Sequence, residues 1–239
     1  MIQGLSIIIP ILNEADNIIP LLSKIDEFNS KVSFDYEFIL VDGNSTDNTV
    51  RILQDNIGKT KSNIALYKQD HSYGYGSDIF FGLTKSKYNT LSWTHADLQT
   101  DLLDLAHGYS LYQIESSELV VFKGGRIKRP YLDTMLTFFM SVIALIMLKK
   151  WIADINGQPK IFSYKIFTEI FRDQNHPVDF SFDLFFLIEA IKKDLKVKTF
   201  NVEFKKRLFG KAKGGGGSLS NRLKLITRTL RYIYKLRLD

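Results

Sequence analysis

Cysteine is absent from the 239 residues of the chain. A disulfide framework, a thiolate metal site and a cysteine nucleophile are therefore excluded. Long hydrophobic runs are also missing: the longest one after the amino terminus covers residues 135–148 and is interrupted by Thr137 and Ser141. A membrane-spanning helix needs about 20 apolar residues, so we predict no transmembrane segment. We predict no secretory leader either, because no basic segment precedes the first apolar residues.

The chain does contain enough apolar material for one sizeable core, since 45% of its residues are hydrophobic and 24% are charged. This composition is typical of a globular enzyme and excludes a disordered or fibrous chain.

Charge is distributed unevenly along the chain. Residues 1–120 carry 8 Lys/Arg and 16 Asp/Glu, whereas residues 121–239 carry 24 Lys/Arg and 10 Asp/Glu. The basic second half predicts an anionic partner, which is nucleic acid, anionic lipid or a phosphorylated substrate. Ordinary surface solubility is the alternative.

Short β-branched segments alternate with helical patterns in the first half of the chain. Strands are predicted over residues 5–10, 36–41, 64–67 and 90–94, and helices over residues 15–28, 47–56 and 76–85. This alternation predicts an α/β fold with a parallel, doubly wound sheet. Ligands of such sheets bind beyond the carboxyl ends of the strands, so the residues that follow each strand are the first candidates for a site.

Polar residues do follow each predicted strand. They are Asn13 and Glu14 after the first, Asp42 after the second, Asp70 with Gly74 and Gly76 after the third, and His95, Asp97 and Gln99 after the fourth. Four carboxylates at one edge repel each other unless a cation or hydrogen-bond donors offset their charge. A metal–diphosphate complex would supply that cation.

The carboxyl-terminal part differs in composition from the rest. We predict a main domain over residues 1–213, a glycine-rich hinge over 214–218 and a basic amphipathic helix over 219–239. Residues 196–239 carry 13 Lys/Arg and 2 Asp/Glu. An apolar stripe with basic flanks is typical of helices that lie on an anionic membrane surface. Packing of the stripe on the domain is the alternative.

Seven segments, in their order along the chain, resemble motifs of the family 2 glycosyltransferases with a GT-A fold, especially the branch of dolichyl- and polyprenyl-phosphate sugar synthases. They are SIIIPILNEADN, ILVDGNSTDNT, GYGSDIFFGL, THADLQTD, GGRIKR, DINGQPKIFS and RLFGKAKGG. The chain departs from the family pattern at Gly43, where a second Asp is usual, and at His95, which replaces the first Asp of Asp-x-Asp-Leu-Gln. The resemblance implies a GT-A-like domain with a mostly parallel sheet and an inverting transfer of a sugar from a nucleotide-diphosphate donor.

The resemblance also implies a set of donor-binding residues. They are Pro10, Asn13, Glu14, Asp42, Asp70, Gly74, Gly76, His95, Ala96 and Gln99. The carboxylates of Glu14 and Asp42 suit this role, because they accept hydrogen bonds from a ring N–H and from ribose hydroxyls. An acid at the start of a helix also complements the helix dipole, which is the alternative role of Glu14.

Asp97 is the predicted metal ligand and the first candidate for a catalytic residue. A hard cation such as Mg²⁺ or Mn²⁺ prefers carboxylate and phosphate oxygens, and it would neutralise the departing diphosphate. Capping of the helix near Asp101 is the alternative role of Asp97. His95 is predicted to add a nitrogen ligand, which favours Mn²⁺, or to bind the donor by a hydrogen bond.

Basic residues are predicted to bind phosphate groups of the acceptor or the donor. They are Arg126, Arg129, Arg207 and Lys213, and Arg126 is also a predicted catalytic residue. Guanidinium groups bind phosphate oxygens in a forked geometry, whereas a solvated basic loop is the alternative for Arg126 and Arg129. If the acceptor is a hydroxyl, Asp183 is the candidate general base. The alternative is that Asp183 is only a polar residue on the flank of a helix. A phosphate acceptor needs no base.

The resemblance implies polyprenyl phosphate as the first acceptor, and a hydroxyl of a lipid-linked or soluble glycan is the second. Both place the protein in the cytoplasm, peripheral at the inner face of the membrane. A basic nucleic-acid-binding α/β protein is the alternative of another class. Binding of nucleic acid is nevertheless not expected, because the chain has no helix-turn-helix, zinc pattern or aromatic stacking platform. A nucleotidyltransferase or epimerase-like enzyme remains an alternative. A dinucleotide-binding dehydrogenase is disfavoured, since the glycine turn follows the third strand and not the first.

Overall fold

The computed structural model describes residues 2–115, 117–129, 131–148, 151, 153–172, 175–207, 209 and 227. The strands in this part of the chain are β1 Ile2–Ile11, β2 Tyr36–Asp42, β3 Ile64–Lys68, β4 Tyr88–Trp93, β5 Val120–Ile127, β6 Lys160–Ser163 and β7 Lys196–Glu203. The helices are α1 Ala15–Lys31, α2 Thr49–Ile57, α3 Tyr75–Thr84, α4 Leu102–Ile114, α5 Tyr131–Leu148, α6 Tyr164–Ile170 and α7 Phe182–Lys192. The predicted hinge over 214–218, Lys213 and, apart from residue 227, the predicted helix over 219–239 lie outside the described residues.

The strands form one sheet in the order β3-β2-β1-β4-β6-β5-β7. Neighbouring strands are parallel, except that β6 runs antiparallel to both β4 and β5. The predicted α/β fold with a mostly parallel sheet is confirmed. The chain proceeds from β1 to β3 in one direction and returns to the other side of β1 with β4. The carboxyl ends of β1 and β4 therefore flank the crevice in which such sheets bind ligands.

Both faces of the sheet are covered by helices, as parallel strands require. Alternate residues of β1 point to opposite faces. Ile7 and Ile9 pack in the core cluster that also contains residues of α1 and α4, whereas Ile8 packs in the cluster with residues of α3 and α7. All seven residues of β2 are buried. The ends of β1, β2 and β4 are thus held rigidly.

The predicted elements of the first half agree with the structure to within a few residues. Strand β4 begins at Tyr88, two residues before the predicted start, and α1 continues to Lys31. The Nζ atom of Lys31 lies 3.0 Å from Glu27 Oε1 one turn earlier. In the described part of the chain, no helix has both the length and the hydrophobicity that a bilayer crossing requires.

Candidate active site

The loops after β1 and β2 are joined by hydrogen bonds that fix Asn13 and Glu14. The backbone N–H of Asn13 donates to Ser45 Oγ (2.8 Å), and the Thr46 N–H donates to Asn13 Oδ1 (2.7 Å). Asn13 has a φ of 48°, in the left-handed region that Asn tolerates better than most residues. The Glu14 N–H donates to Thr49 Oγ1 at the start of α2 (2.9 Å). Both residues therefore belong to a shaped loop at the carboxyl ends of the strands.

A single guanidinium connects the ends of β1 and β4. Arg207 Nη2 lies 2.6 Å from Glu14 Oε1 and 2.5 Å from Oε2, and Nη1 lies 3.5 Å from Asp97 Oδ2. The three side chains are mostly buried. The structure thus brings together three predicted site residues that are far apart in the sequence, at the crevice between β1 and β4.

Asp97 does not cap the helix that follows it. Asp101 caps α4, because its Oδ1 accepts a hydrogen bond from the Leu103 N–H (3.1 Å). Asp97 Oδ1 accepts one from the Gln99 N–H (3.2 Å), which orients the carboxylate within its own loop. The alternative role of Asp97 as a helix cap is therefore wrong, and its second oxygen faces Arg207.

Gln99 connects this loop to the segment after β7. Its Nε2 donates to the Lys205 carbonyl (3.2 Å), and the Lys205 N–H donates to the Gln99 carbonyl (2.7 Å). These two bonds bring Arg207, two residues later, to the end of β4. The structure thus gives Gln99 a role in positioning Arg207, whereas its predicted role in donor binding stays a prediction.

The donor atoms at Asp97 suit a hard divalent cation. The Arg207 guanidinium lies between Asp97 and Glu14, so a positive charge already neighbours the Asp97 carboxylate. No group of three or more His, Cys, Asp or Glu side chains in the described ranges is placed to hold a metal. Asp97, with His95 two residues before it, would hold a metal together with phosphate oxygens of a donor. The His95 ring is stacked on Tyr75, with centroids 5.6 Å apart.

Asp42 and Asp78 are two buried acids at the carboxyl end of β2. Asp42 is fully buried, and its Oδ2 accepts a hydrogen bond from the Ser45 N–H (3.1 Å). Asp78 comes from α3 and is 3% exposed. Burial raises the pKa of Asp78 to about 7; the hydrogen bond from Gln69 opposes this rise, and the charge of Asp42 adds to it. The sequence offered one signal for Asp78, an acid in an otherwise apolar helix.

Within the described part of the chain, three residues predicted to bind the donor, Gly74, Gly76 and Asp70, form no hydrogen bond with Arg207 or with the loops after β1 and β4. A Cβ on Gly74 would lie 2.5 Å from the Val178 carbonyl oxygen, and one on Gly76 would lie 2.5 Å from that of Pro177. The Gly76 N–H donates to the Val178 carbonyl (2.8 Å). These two glycines therefore allow α3 to pack against the backbone before α7. Asp70 is exposed beyond the edge strand β3 and accepts a hydrogen bond from the Tyr73 hydroxyl (3.3 Å).

Arg126, at the end of β5, is clamped by Asp154. Its Nε lies 3.0 Å from both carboxylate oxygens of Asp154, its Nη2 also donates to Oδ1, and its backbone N–H donates to Oδ2 (2.9 Å). Burial by itself would raise the pKa of Asp154, but the hydrogen bonds and charge of Arg126 lower it to about 2. The pair is thus ionised at any ordinary pH.

Arg129 lies beside Arg126. Its Nη1 is 3.8 Å from Asp154 Oδ1 and donates to Thr137 Oγ1 in α5 (2.8 Å). Both guanidinium groups lie over the ring of Phe204, at 5.1 Å for Arg126 and 5.6 Å for Arg129. The side chains of both arginines are largely buried. The alternative of a solvated basic loop is therefore wrong.

Asp183, at the start of α7, is the centre of a buried hydrogen-bond network. It accepts bonds from Trp93 Nε1 (3.1 Å), Gln158 Nε2 (2.7 Å), Lys160 Nζ (2.5 Å) and the Tyr75 hydroxyl (3.2 Å). Asp183 is 2% exposed, and Lys160 is fully buried. A carboxylate that is saturated by donors and paired with a buried ammonium is not placed to take a proton from a hydroxyl. The geometry therefore gives Asp183 a structural role, whereas its role as a general base stays a prediction.

Lys123 extends this network toward Arg126. It is 1% exposed, and its Nζ donates to the Asp154 carbonyl (3.0 Å). Burial lowers its pKa to about 8, and the charges of Lys160 and Arg126 add to this decrease. The charges of Asp154 and Asp183 oppose the decrease. We call this set of residues the basic cluster; it has four cations and two carboxylates, namely Lys123, Arg126, Arg129, Lys160, Asp154 and Asp183.

Sequence reasoning missed three of the six residues of the basic cluster, namely Lys123, Asp154 and Lys160. Asp154, Gln158 and Lys160 all lie in the segment DINGQPKIFS. The available signal was a set of polar residues in and directly before a short strand whose four residues are all buried. Tyr75 connects this cluster to the loop after β4, because it bonds Asp183 and stacks on His95.

Known proteins resemble the chain both in sequence and in structure. Residues 6–171 match the family described as Glycosyl transferase family 2. The undecaprenyl-phosphate 4-deoxy-4-formamido-L-arabinose transferase of Pseudomonas fluorescens is 31% identical over 98 residues, which are 41% of this chain and 29% of that protein. The dolichyl-phosphate beta-glucosyltransferase of Dictyostelium discoideum is 26% identical over 209 residues, 81% of this chain and 64% of that protein. The matched region therefore spans less than two thirds of each relative.

Among solved structures, glucosyl-3-phosphoglycerate synthase from Mycobacterium tuberculosis, in complex with Mn²⁺, UDP and glucosyl-3-phosphoglycerate, superposes with a TM-score of 0.72. The likeness covers 98% of this chain and 80% of that one, at 14% sequence identity. A similarity at this level of identity establishes the fold alone, and it confirms the predicted GT-A-like architecture.

Proposed function

The chain belongs to glycosyl transferase family 2, and from this we propose that it moves a sugar from a nucleoside diphosphate to the phosphate of a polyprenyl phosphate, with inversion, at a membrane surface. The observation that carries the choice of acceptor is the basic cluster, in which Asp183 is neutralised by Lys160. The two relatives named above are an undecaprenyl-phosphate and a dolichyl-phosphate sugar transferase, which supports the same choice.

The donor would bind in the crevice between β1 and β4. Glu14 and Asp42 would accept hydrogen bonds from the nucleoside, and Arg207 would exchange its bond with Glu14 for the diphosphate, since a guanidinium pairs well with phosphate. A divalent cation held by Asp97, Mg²⁺ or Mn²⁺, would stabilise the charge on the leaving diphosphate. One in-line displacement then inverts the anomeric carbon.

The acceptor phosphate would bind beside Arg126 and Arg129. Four cations against two carboxylates leave the basic cluster with net positive charge, so a phosphate group is attracted to it. A phosphate oxygen is already anionic near pH 7 and attacks without a general base, so positioning and electrostatics suffice. A hydroxyl acceptor needs a carboxylate that can take its proton, and Asp183 is fully engaged. A glycan hydroxyl is therefore the second candidate.

Helix α5 offers a surface for the lipid part of the acceptor. It begins directly after the arginines, and Arg129 bonds Thr137 within it. Several large apolar side chains on and next to this helix are exposed: Tyr131, Phe138, Phe139, Leu145, Ile146 and Trp151. Apolar side chains beside cations are typical of a contact with an anionic membrane. The basic segment over 219–239 would strengthen the contact, at the cytoplasmic face.

The test of the acceptor compares a polyprenyl phosphate with the polyprenol of the same length, each offered with Mn²⁺ and a panel of sugar nucleotides. We expect labelled sugar in the lipid fraction only with the phosphate. Transfer to the free alcohol or to a soluble glycan, with none to the phosphate, would overturn the proposal.

The test of the membrane contact is sedimentation of the protein with vesicles that contain or lack anionic lipid. We expect binding that needs anionic lipid and is weakened by the variant Phe138→Ser/Phe139→Ser. The matched control is Ile114→Ser on α4, an apolar residue that is 81% exposed. Equal binding of all three proteins would show that α5 does not contact the bilayer.

A further inference from the structure

Gly43 directly follows Asp42, the last residue of β2. Its φ lies outside the left-handed region, so the backbone conformation does not require glycine. The space above it does: a Cβ on Gly43 would lie 2.5 Å from Asp78 Oδ2 and 3.2 Å from Asp78 Cγ. The carboxylate of Asp78 thus fills the position into which a side chain at residue 43 would project.

Asp78 reaches this position from the first turn of α3. Gln69, just after β3, orients it: Gln69 Nε2 lies 3.5 Å from Asp78 Oδ1, while the Gln69 N–H donates to the Asp42 carbonyl (2.8 Å). Polar groups from β2, β3 and α3 therefore converge beside Asp42, the residue assigned to the nucleoside.

A carboxylate in this position is costly for the fold. Asp78 is 3% exposed, and the charge of the fully buried Asp42 acts on it. Burial of Asp78 raises its pKa to about 7, so that the charged form is destabilised. A neutral side chain would pack in the same place without that cost, and buried groups with strongly shifted pKa values concentrate at binding and catalytic sites.

We propose that Asp78 recognises the nucleoside of the donor together with Asp42, and that its carboxylate occupies the position into which a side chain at residue 43 would project. Together with Asp42 it would accept hydrogen bonds from a base that has a ring N–H, uracil or guanine, and from the ribose. This inference rests on the proposed function, because it assigns a residue to the same donor site.

The test exchanges the two side chains and measures equilibrium binding of UDP, GDP, CDP and ADP, each with Mn²⁺. The wild-type protein should prefer UDP or GDP, and Asp78→Ala should bind that nucleotide about tenfold more weakly or worse. Gly43→Asp alone should also bind poorly, since the new side chain collides with Asp78. The double variant Gly43→Asp/Asp78→Ala should recover binding to within about threefold of wild type. Asp104→Ala, which removes a partly buried acid from the first turn of α4, is the matched control and should bind normally.

Three outcomes would overturn the inference: unchanged binding by Asp78→Ala, a preference for CDP or ADP, or a double variant that regains thermal stability without regaining nucleotide affinity. The last outcome would show that the side chains at positions 43 and 78 only compete for the same space and do not bind the nucleotide. If the wild-type protein binds none of the four nucleotides, the proposed function fails as well. If it binds and transfers sugar but Asp78→Ala does so equally, only the inference fails.

Discussion

The two sides of the proposed site hold their charges in different ways. On the donor side, the ends of β1, β2 and β4 present carboxylates in loops, and one arginine that arrives from beyond β7 bridges two of them. On the acceptor side, two lysines lie inside strands β5 and β6, and buried aspartates hold the cations. The proposed donor side is thus acidic with one bridging arginine, whereas the proposed acceptor side is basic and its cations pair with buried aspartates.

This difference matches what each side would bind. A cation–diphosphate complex brings its own positive charge, so the donor side needs negative groups whose present partner, Arg207, can be released to the diphosphate. A phosphate acceptor brings only negative charge, so the acceptor side needs cations that are already in place and need no reorganisation on binding. The largest effects of mutation should therefore differ in kind: loss of chemistry on the donor side, and loss of stability on the acceptor side.

The largest expected effect is that of Asp97→Asn. An amide keeps the size of the side chain but removes the charge that holds a divalent cation, so the rate of sugar transfer should fall by about 10³-fold or more. Thermal stability should change little. The measurement is the initial rate with Mn²⁺, compared with Asp101→Asn in the same loop, where Asn caps a helix as well as Asp. Transfer by Asp97→Asn at more than a tenth of the wild-type rate would remove the metal role of Asp97.

Asp183→Asn should act on stability first. The substitution leaves the buried Lys160 without its carboxylate, and breaking such a pair costs about 3–5 kcal/mol of the free energy of unfolding. Urea denaturation of this variant and of Asp183→Asn/Lys160→Met measures the effect; the double variant should be more stable than the single one, because no charge is left unpaired. A single variant that unfolds like wild type but loses transfer to a hydroxyl would instead restore Asp183 as the base.

Arg126→Lys tests the acceptor side by itself. Lysine keeps the charge but cannot form the forked contact, so the KM for the polyprenyl phosphate should rise about tenfold. The affinity for the nucleoside diphosphate should not change. Lys128→Gln is the control on the same segment, since Lys128 is exposed and pairs with Glu203. A loss of nucleotide affinity in Arg126→Lys would place Arg126 on the donor side instead.

The difference between the donor side and the acceptor side also explains which site residues could be predicted from the sequence. Donor-side residues such as Glu14, Asp42 and Asp97 directly follow strands, so a local pattern was enough to predict the fold and their place in it. Acceptor-side residues depend on the insertion of β6 between β4 and β5, which sets Lys160 opposite Trp93 on one side and Lys123 on the other. No local pattern encodes this long-range antiparallel pairing. Polar residues within a short buried strand therefore gave no indication of their partners.

The outcomes for single residues follow the same rule. Arg207 was expected to bind phosphate from its place in a motif, but its contact with Glu14 joins residues 193 positions apart. Asp183 was expected to be a base from the resemblance of its segment to the family, and the structure pairs it with a lysine that the sequence analysis did not single out. Composition and motif order identify residue types; only the three-dimensional pairing assigns their charge state.

The smallest predicted effect concerns pH and contrasts Asp78 with Asp154. The pKa of Asp78 is raised to about 7 by burial, with Asp42 adding and Gln69 opposing, whereas the unfolded value of Asp is about 4. Between these two pH values the folded state therefore binds more protons than the unfolded state. The free energy of unfolding that protonated Asp78 contributes is fully present below about pH 4 and is lost as the pH rises through about 7. Asp78→Asn does not lose this free energy, because an amide stays neutral. Relative to wild type it should be nearly neutral at pH 4 and stabilising by about 1 kcal/mol at pH 8, after allowance for solvent screening.

Thermal unfolding of both proteins from pH 4 to pH 8 measures that difference, with the exposed Asp55→Asn on α2 as the control.

Asp154→Asn should behave in the opposite sense. Burial raises the pKa of Asp154, but Arg126 outweighs this effect and lowers the pKa to about 2. The stability that Asp154 contributes is present above about pH 4 and is lost as the pH falls toward 2, so its removal should destabilise the protein at pH 7 and much less at pH 2. Parallel pH profiles for the two variants would contradict the assignment of opposite charge environments to the two sides, because a carboxylate held by cations and one buried beside another acid cannot titrate alike.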